Sequence, residues 1–82
     1  MQGQLFACTT KTKDECFERL LFGTNRAYAP AAMRVRKGHY LFLLDLDSDL
    51  LYGVFRATSE AKMNIEPSAW QGKYPYQVEV EP

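Results

Sequence analysis

Three side chains supply all the thiol and imidazole chemistry of the 82-residue chain: Cys8, Cys16 and His39. One histidine and two cysteines are too few for a multi-histidine metal site or for most four-ligand zinc sites. A cysteine nucleophile needs a neighbouring base, and His39 follows the basic turn Lys37-Gly38, which we expect to be exposed and distant from Cys8. We therefore predict two buried, unreactive free thiols rather than a catalytic cysteine, a metal site or a disulfide.

Asp45, Asp47 and Asp49 have the alternating spacing with which a calcium-binding loop begins. That loop also requires glycine at its sixth position and glutamate at its twelfth, where this chain has Leu50 and Arg56. Because leucine at such positions belongs in a core, we interpret the three aspartates as a polar turn between two strands.

The sequence offers little further catalytic machinery. It contains no glycine-rich phosphate loop, no serine nucleophile elbow and no evident pair of carboxylates. Glu66 is the one carboxylate beside apolar residues in a loop, and no partner for it is evident in the sequence. We therefore expect a protein that is not an enzyme and that uses neither a metal nor a cofactor. The enzymatic alternative would need a role for Cys8 or Glu66.

Basic side chains are concentrated in the first half of the chain, although ten basic and ten acidic residues leave no net charge. Residues 1–41 carry seven basic and three acidic side chains, whereas residues 42–82 carry three and seven. The densest cluster is Arg34, Arg36 and Lys37 with His39, and the further cations of this half include Lys11, Lys13 and Arg26. This pattern fits a phosphate-binding stripe. The alternative is a solvated strand face that keeps a sheet edge from aggregating.

Five aromatic side chains lie outside the most regular apolar runs: Phe22, Tyr28, Trp70, Tyr74 and Tyr76. A domain of this size needs most of its large residues for its core. Trp70 differs because it lies in a loop between Pro67 and Gly72, where an indole that faces a second aromatic ring can stack on a nucleobase. A core tryptophan remains the alternative.

One helix and several strands must position these residues. Thr12 and Glu15 have the spacing of a capping box, and Gly23 fits a left-handed C-terminal cap, so we predict a helix over about residues 13–22. Apolar runs and alternations predict strands, with a long loop over residues 59–72. The predicted strands are residues 5–8, 33–36, 40–46, 50–58 and 76–80.

The order and connection of these elements predict the fold class. Residues 40–46 are nearly all apolar, which is typical of a central strand covered on both faces, and Gly53 marks a bulge or a close backbone approach in the next strand. Hairpin connections favour a small α+β fold, namely a partly open antiparallel β-barrel with one N-terminal helix.

Length and composition set the scale of this fold. With 46% hydrophobic and 24% charged residues, the chain can bury one modest core, and we predict a single domain over residues 1–82. The longest purely apolar run, residues 41–44, is too short to cross a bilayer. Residues 2–4 lack the positive charge with which a signal peptide begins. We therefore expect an intracellular protein, cytoplasmic or nuclear.

Ordered blocks over about residues 5–80 resemble the Development and Cell Death (DCD) domain of plant and archaeal proteins. The blocks are Leu21-Phe22-Gly23, Gly38-His39-Tyr40-Leu41-Phe42-Leu43, and residues 50–58, 63–70 and 73–78. DCD domains usually have Phe-Gly-Leu-Pro where this chain has Phe22-Gly23-Thr24-Asn25, and they continue for several tens of residues beyond the strand that ends near Val80. We therefore expect a minimal or C-terminally truncated DCD domain.

This resemblance implies a PUA-like fold (pseudouridine synthase and archaeosine transglycosylase), related to the EVE and YTH domains. Those relatives bind nucleic acid, and some hold a modified base in a pocket beside the first strand and the helix. In this chain the resemblance places the base-binding pocket at Thr9, Thr10, Phe22, Gly23, Asn64 and Trp70. Phe22 or Trp70 would supply a flat wall, and Asn64 or Thr10 would hydrogen-bond the base edge.

The expected function is therefore a non-catalytic binding module that recognises RNA or single-stranded DNA, including a modified nucleotide held in an aromatic pocket. Arg34, Arg36 and Lys37 would contact the phosphates. The alternative is a protein-interaction or homodimerisation module that uses an exposed strand edge, because DCD domains are found in stress and cell-death proteins.

Overall fold

The computed structural model describes residues 3–82, so the part of the signal-peptide argument that concerns Gln2 lies outside the described residues. Two helices, six strands and two short 3-10 turns, at Arg26–Tyr28 and Ala69–Gly72, account for the regular structure. In chain order these are β1 (Gly3–Cys8), α1 (Thr10–Arg19), β2 (Leu21–Thr24), α2 (Ala29–Ala32), β3 (Tyr40–Asp45), β4 (Leu50–Ala57), β5 (Lys62–Met63) and β6 (Tyr76–Glu81). No helix within residues 3–82 is long and apolar enough to cross a membrane.

The strands form one mixed sheet in the order β1-β3-β4-β6-β2, with the short β5 also paired to β6. β1 and β3 are parallel, whereas the other pairs are antiparallel. Within residues 3–82 the two end strands, β1 and β2, do not pair with each other, so the sheet curls without closing. This arrangement confirms the predicted α+β fold with a partly open barrel, and corrects the prediction of purely antiparallel pairing.

Helix α1 begins and ends about three residues earlier than the sequence predicted. Thr9 is the N-cap: its hydroxyl accepts from the Thr12 N–H at 3.3 Å, and the Thr12 hydroxyl accepts from the Thr9 N–H at 3.0 Å. The predicted capping box at Thr12 and Glu15 is therefore wrong. Leu20, with φ of 51°, takes the left-handed position at the C-terminus of α1. The cap predicted at Gly23 is therefore wrong, because Gly23 lies inside β2.

The predicted strand at residues 33–36 is also wrong. Pro30 lies in the first turn of α2, where its fixed φ favours a helical start. The N–H groups of Met33 and Val35 continue the turn by donating to the carbonyls of Ala29 (2.8 Å) and Ala32 (3.1 Å). The alternation of apolar and basic residues in this segment therefore comes from a turn, in which Val35 is buried and Arg34 and Arg36 are exposed.

The core fills the concave side of the curled sheet. Its largest fully buried side chains include Leu21, Phe22, Leu41, Leu43 and Val78. β3 alternates between buried and half-buried residues, so the prediction that it is covered on both faces is wrong. The half-buried side of β3 belongs to the outer, convex face of the sheet. Three neighbouring side chains on this face are more than half exposed: Leu5, Leu46 and Leu51.

Candidate ligand pocket

A pocket of about 150 Å³ opens where β1 ends and α1 begins. Four other segments complete its wall: the end of β2 with the residues after it, the first 3-10 turn, the residue after β3, and the turn that carries Trp70. The lining residues are Ala7, Cys8, Thr9, Thr12, Cys16, Gly23, Thr24, Asn25, Tyr28, Leu46, Trp70 and Tyr74.

Three of the six residues that the sequence assigned to a base-binding pocket line this cavity: Thr9, Gly23 and Trp70. Phe22 does not line it, because its fully buried ring packs edge-on against Phe55, with centroids 4.9 Å apart. In this conformation Phe22 supports the pocket from the core and offers no face to a ligand.

Thr10 and Asn64 also lie away from the cavity. The Thr10 N–H donates to Asp47 Oδ2 at 2.9 Å, and its hydroxyl donates to Asp45 Oδ2 at 3.1 Å. Asn64 is exposed beside β5, where its N–H donates to the Pro75 carbonyl at 2.7 Å. Both residues therefore have structural partners outside the pocket wall.

Trp70 is 5% exposed and belongs to the core, as the alternative interpretation expected, and one part of it lines the pocket, where two hydrogen bonds to α1 hold it. Its indole Nε1 donates to the Thr12 carbonyl at 3.2 Å, and its main-chain N–H donates to Glu15 Oε2 at 2.7 Å. The Tyr74 ring packs edge-on against the indole, with centroids 5.8 Å apart. Trp70 and Gln71 have φ of 49° and 57°, a left-handed conformation that costs roughly 1–2 kcal/mol per non-glycine residue. These contacts hold Trp70 in a conformation that its own backbone disfavours.

Gly23 gives the indole its space. A Cβ at this position would lie 2.5 Å from Cζ3 of Trp70 and 3.0 Å from the main-chain oxygen of Tyr74. Only a residue without a side chain lets β2 and the indole approach so closely. In the Phe22-Gly23 pair, the ring of Phe22 therefore packs in the core, and the missing side chain of Gly23 leaves the space that the Trp70 indole occupies.

The pocket lining carries no ionised side chain among the described residues. Burial, with a smaller contribution from Asp45, raises the pKa of the Cys8 thiol to about 11. Burial, together with the neighbouring Cys8 and Glu15, raises the pKa of Cys16 to about 12. Both cysteines are free, buried and protonated at neutral pH, as predicted from the sequence. The arrangement favours an uncharged guest.

Several polar groups at the pocket are engaged in the fold. The hydroxyls of Thr9 and Thr12 are used by the helix cap. Asn25 Oδ1 accepts from the Ala27 N–H at 3.0 Å, which leaves the Asn25 amide nitrogen to donate. Tyr28, 66% exposed, stands at the rim. Sequence reasoning assigned no site role to Asn25, Tyr28 or Tyr74, although both tyrosines were among the aromatics outside the regular apolar runs.

The cluster Arg34, Arg36 and Lys37 lies at the other end of β1 and β3. In their parallel register Gly3 pairs with Tyr40 and Cys8 with Asp45, so the cluster and the pocket are separated by a strand length, about 17 Å. Arg36 donates to the carbonyls of Met33 and Val35 and lies 3.8 Å from Glu60. The exposed cations next to pocket residues in the chain are Lys11, Arg26 and Lys73.

A buried carboxylate beside the pocket ties α1 to the β3–β4 turn. Asp45 is fully buried and accepts from the N–H groups of Asp47 (2.9 Å) and Ser48 (3.4 Å), with Lys13 Nζ 3.5 Å away. Burial alone raises the pKa of the Asp45 carboxyl, but the hydrogen bonds from Asp47, Thr10 and Ser48 outweigh burial and hold the pKa below its ordinary value. The aspartates thus form the predicted polar turn.

Among solved structures, the fold is similar to the Pho92 YTH domain in complex with m6A. The TM-score is 0.70 at 17% sequence identity, and the match covers 98% of this chain and 54% of that chain. At this identity the similarity concerns the fold, and it agrees with the PUA-like relationship expected from the sequence.

Plant proteins match at the level of sequence. The chain is 37% identical over 71 residues to the B2 protein of Daucus carota and to the DCD domain-containing protein NRP-B of Glycine max. It is 33% identical over 85 residues to NRP-A of Glycine max. These alignments cover 87%, 87% and 95% of this chain but 34%, 22% and 23% of the relatives, so the chain spans about a fifth to a third of their length.

The resemblance drawn from the sequence is confirmed by the family comparison. Residues 2–82 match the Development and cell death domain, and two of the plant relatives carry the DCD domain in their names. The chain belongs to the Development and cell death domain family.

Proposed function

We propose that this domain is a non-catalytic module that binds single-stranded RNA or DNA and takes one base into the pocket at the end of β1. The observation that carries the proposal is an open cavity without charged lining residues, walled by Trp70 and Tyr74. A nucleobase is flat, uncharged at neutral pH and edged with hydrogen-bonding groups, so aromatic faces and neutral donors suit it. The likeness in fold to a YTH domain in complex with m6A supports a modified base as the preferred guest.

The proposed pocket retains Thr9, Gly23 and Trp70 and replaces the other three expected residues. Tyr74 and Tyr28 take the role that the sequence gave to Phe22, because they reach the cavity. The Asn25 amide nitrogen takes the role of Asn64 and Thr10 as the donor to the base edge. Flanking phosphates meet the exposed cations beside the pocket first.

Arg34, Arg36 and Lys37 form a second contact zone in this proposal, about one strand length along the molecule. A bound strand would then run from the pocket beside β1 towards the turn before β3. In this proposal the protein acts on nucleic acid in the cytoplasm or the nucleus. Affinity also falls as salt rises, because neutralised phosphates release counterions.

The test is fluorescence anisotropy with short single-stranded RNA and DNA, with and without m6A, at several salt concentrations. Because Tyr28 is exposed, Tyr28→Ala should fold, and loss of a stacking ring should weaken binding roughly 5- to 100-fold. The matched control is Val54→Ala, at an exposed residue of β4 that belongs neither to the pocket lining nor to the basic cluster. The double variant Arg34→Ala with Arg36→Ala should lower the salt slope by about 0.7 for each lost phosphate contact.

Two results would overturn the proposal. One is the absence of binding at low salt. The other is binding that Tyr28→Ala and the double arginine variant leave unchanged. A preference for m6A over the unmodified strand would support a modified base as the guest, whereas equal affinities would remove that part of the proposal and keep the rest.

A second candidate, protein interaction, is favoured by the uncovered convex face of the sheet. A groove of about 330 Å³ runs along β1 and α2, and among residues 3–82 its lining includes Leu5, Leu44 and Leu46 but no charged side chain. Apolar surface of this kind is typical of protein contacts. A second copy of the chain or a partner protein would cover the face, and sedimentation of the free protein distinguishes this candidate from a monomeric nucleic-acid reader.

A further inference from the structure

The indole of Trp70 depends on a side chain that does not itself line the pocket. Trp70 and Gln71 have positive φ, followed by Gly72 at 78°. The Trp70 N–H bonds to the carboxylate of Glu15, 55 positions earlier in the chain. That contact, at 2.7 Å, joins the second turn of α1 to the loop that carries the indole.

Glu15 is itself oriented by a neighbour. Arg19 Nε donates at 2.9 Å to Oε2, the carboxylate oxygen that also accepts from Trp70. Arg19 Nη1 lies 3.8 Å from Glu66 Oε2, in the same loop as Trp70. The result is a chain of contacts from Glu66 through Arg19 and Glu15 to the backbone of Trp70.

An exposed ion pair one helical turn apart, such as Glu15–Arg19, contributes little to stability by itself. What distinguishes Glu15 is the charge-assisted bond to a main-chain N–H in a left-handed segment, which is a stronger bond than a neutral one. We infer that Glu15 is a positioning residue for the pocket: it fixes Trp70 against Gly23, and Arg19 fixes Glu15. The effect on ligand affinity rests on the function proposed above, whereas the effect on Trp70 does not.

The test compares Glu15→Ala, Glu15→Gln and the control Glu18→Ala, an exposed glutamate on the same helix. Trp70 is the only tryptophan of the chain, so its emission and its quenching by acrylamide report the position of the indole in the free protein. We expect Glu15→Ala to shift the emission and to increase quenching relative to Glu18→Ala. Glu15→Gln keeps an oxygen that accepts from Trp70 and should restore the wild-type signal.

Binding of the same single-stranded oligonucleotides supplies the second measurement. Glu15→Ala should weaken it about tenfold, the scale of one lost hydrogen bond to a charged group, with Glu15→Gln closer to wild type. If Glu15→Ala does not fold, Arg19→Ala frees the carboxylate without removing it and should produce a smaller change of the same kind.

Emission and quenching that are the same in Glu15→Ala and Glu18→Ala would overturn the positioning role, whatever the ligand. Emission that changes as expected, in a protein that binds no oligonucleotide even as wild type, would support the positioning role and overturn the proposed function. The two ideas can therefore fail separately.

Discussion

Gly23 and Trp70 approach each other so closely that position 23 has no room for a side chain. We predict that Gly23→Ala displaces the indole and lowers the free energy of unfolding by about 1–3 kcal/mol, the usual cost of overpacking, since the new Cβ would lie 2.5 Å from Trp70 Cζ3. Chemical denaturation and tryptophan emission measure the two effects. Gly3→Ala is the control, because its Cβ would meet nothing closer than 4.0 Å.

The buried carboxylate of Asp45 makes the stability of the domain depend on acid. Its pKa is lower in the folded protein than in the unfolded chain, so its contribution is complete above the ordinary carboxyl range, about pH 4, and is lost as the pH falls through the folded value. Thermal unfolding against pH should show this loss. Asp45→Asn should remove that part of the pH dependence, whereas Asp49→Asn, in the exposed turn, should retain it.

At the residue scale, the family resemblance placed Trp70, Gly23 and Thr9 in one pocket, but it could not predict which of their neighbours face the cavity. Successive residues of a strand point to opposite faces, so Phe22 points into the core whereas Gly23 faces the Trp70 indole. The start of α1 at Thr10 turns that residue towards Asp45. Such directions depend on element boundaries, which a single sequence fixes least well.

Among the larger elements, the loop that carries Trp70 is attached to β6 by one buried amide. Gln77 is 1% exposed; its Oε1 accepts from the Glu66 N–H at 2.8 Å, and its Nε2 donates to the carbonyls of Glu66 (3.1 Å) and Tyr74 (3.0 Å). We predict that Gln77→Ala lowers the free energy of unfolding by roughly 2–4 kcal/mol, because three buried hydrogen bonds are lost. Urea unfolding provides the measurement, with Glu79→Ala, at an exposed residue of the same strand, as the control.

The strands were more predictable than the helices. Four of the five predicted strands are present, with boundaries shifted by at most two residues, because apolar alternation marks them directly. Both features predicted at Gly53 are present, since the β3–β4 register shifts at this point and the ring of Phe42 occupies the space of the missing Cβ. α1 was placed too late because two threonines, rather than threonine and glutamate, form its capping box. Two strands were not predicted: β2, whose first residues fell in the predicted helix, and β5, which has two residues.

On the scale of the whole molecule, the uncovered convex face of the sheet makes association testable. Leu51 is 60% exposed, so Leu51→Glu should fold normally and should prevent self-association through that face, because it would bury an unpaired charge. Sedimentation velocity over a range of concentrations should show a dimer for the wild type and a monomer for the variant if a second copy covers the face. A wild-type protein that stays monomeric throughout would contradict homodimerisation.

The fold class followed from the order of the elements, but the exposure of the sheet did not. A nearly continuous apolar segment such as residues 40–46 has the same sequence pattern whether both faces of the strand are covered or only one. The parallel pairing of β1 with β3 likewise depends on a connection through α1, β2 and α2 that no local signal reveals.

The contacts around Thr10 join two segments that are distant in the chain. The Thr10 N–H is bonded to Asp47, the Thr10 hydroxyl to Asp45, and the Leu46 N–H to the Cys8 carbonyl at 2.9 Å. Fraying of the first helical turn therefore breaks the bonds that tie α1 to the β3–β4 turn, and opening of that turn frees the start of the helix. Amide protons on both sides should thus exchange with solvent through a single shared opening, so the mouth of the cavity behaves as one cooperative unit.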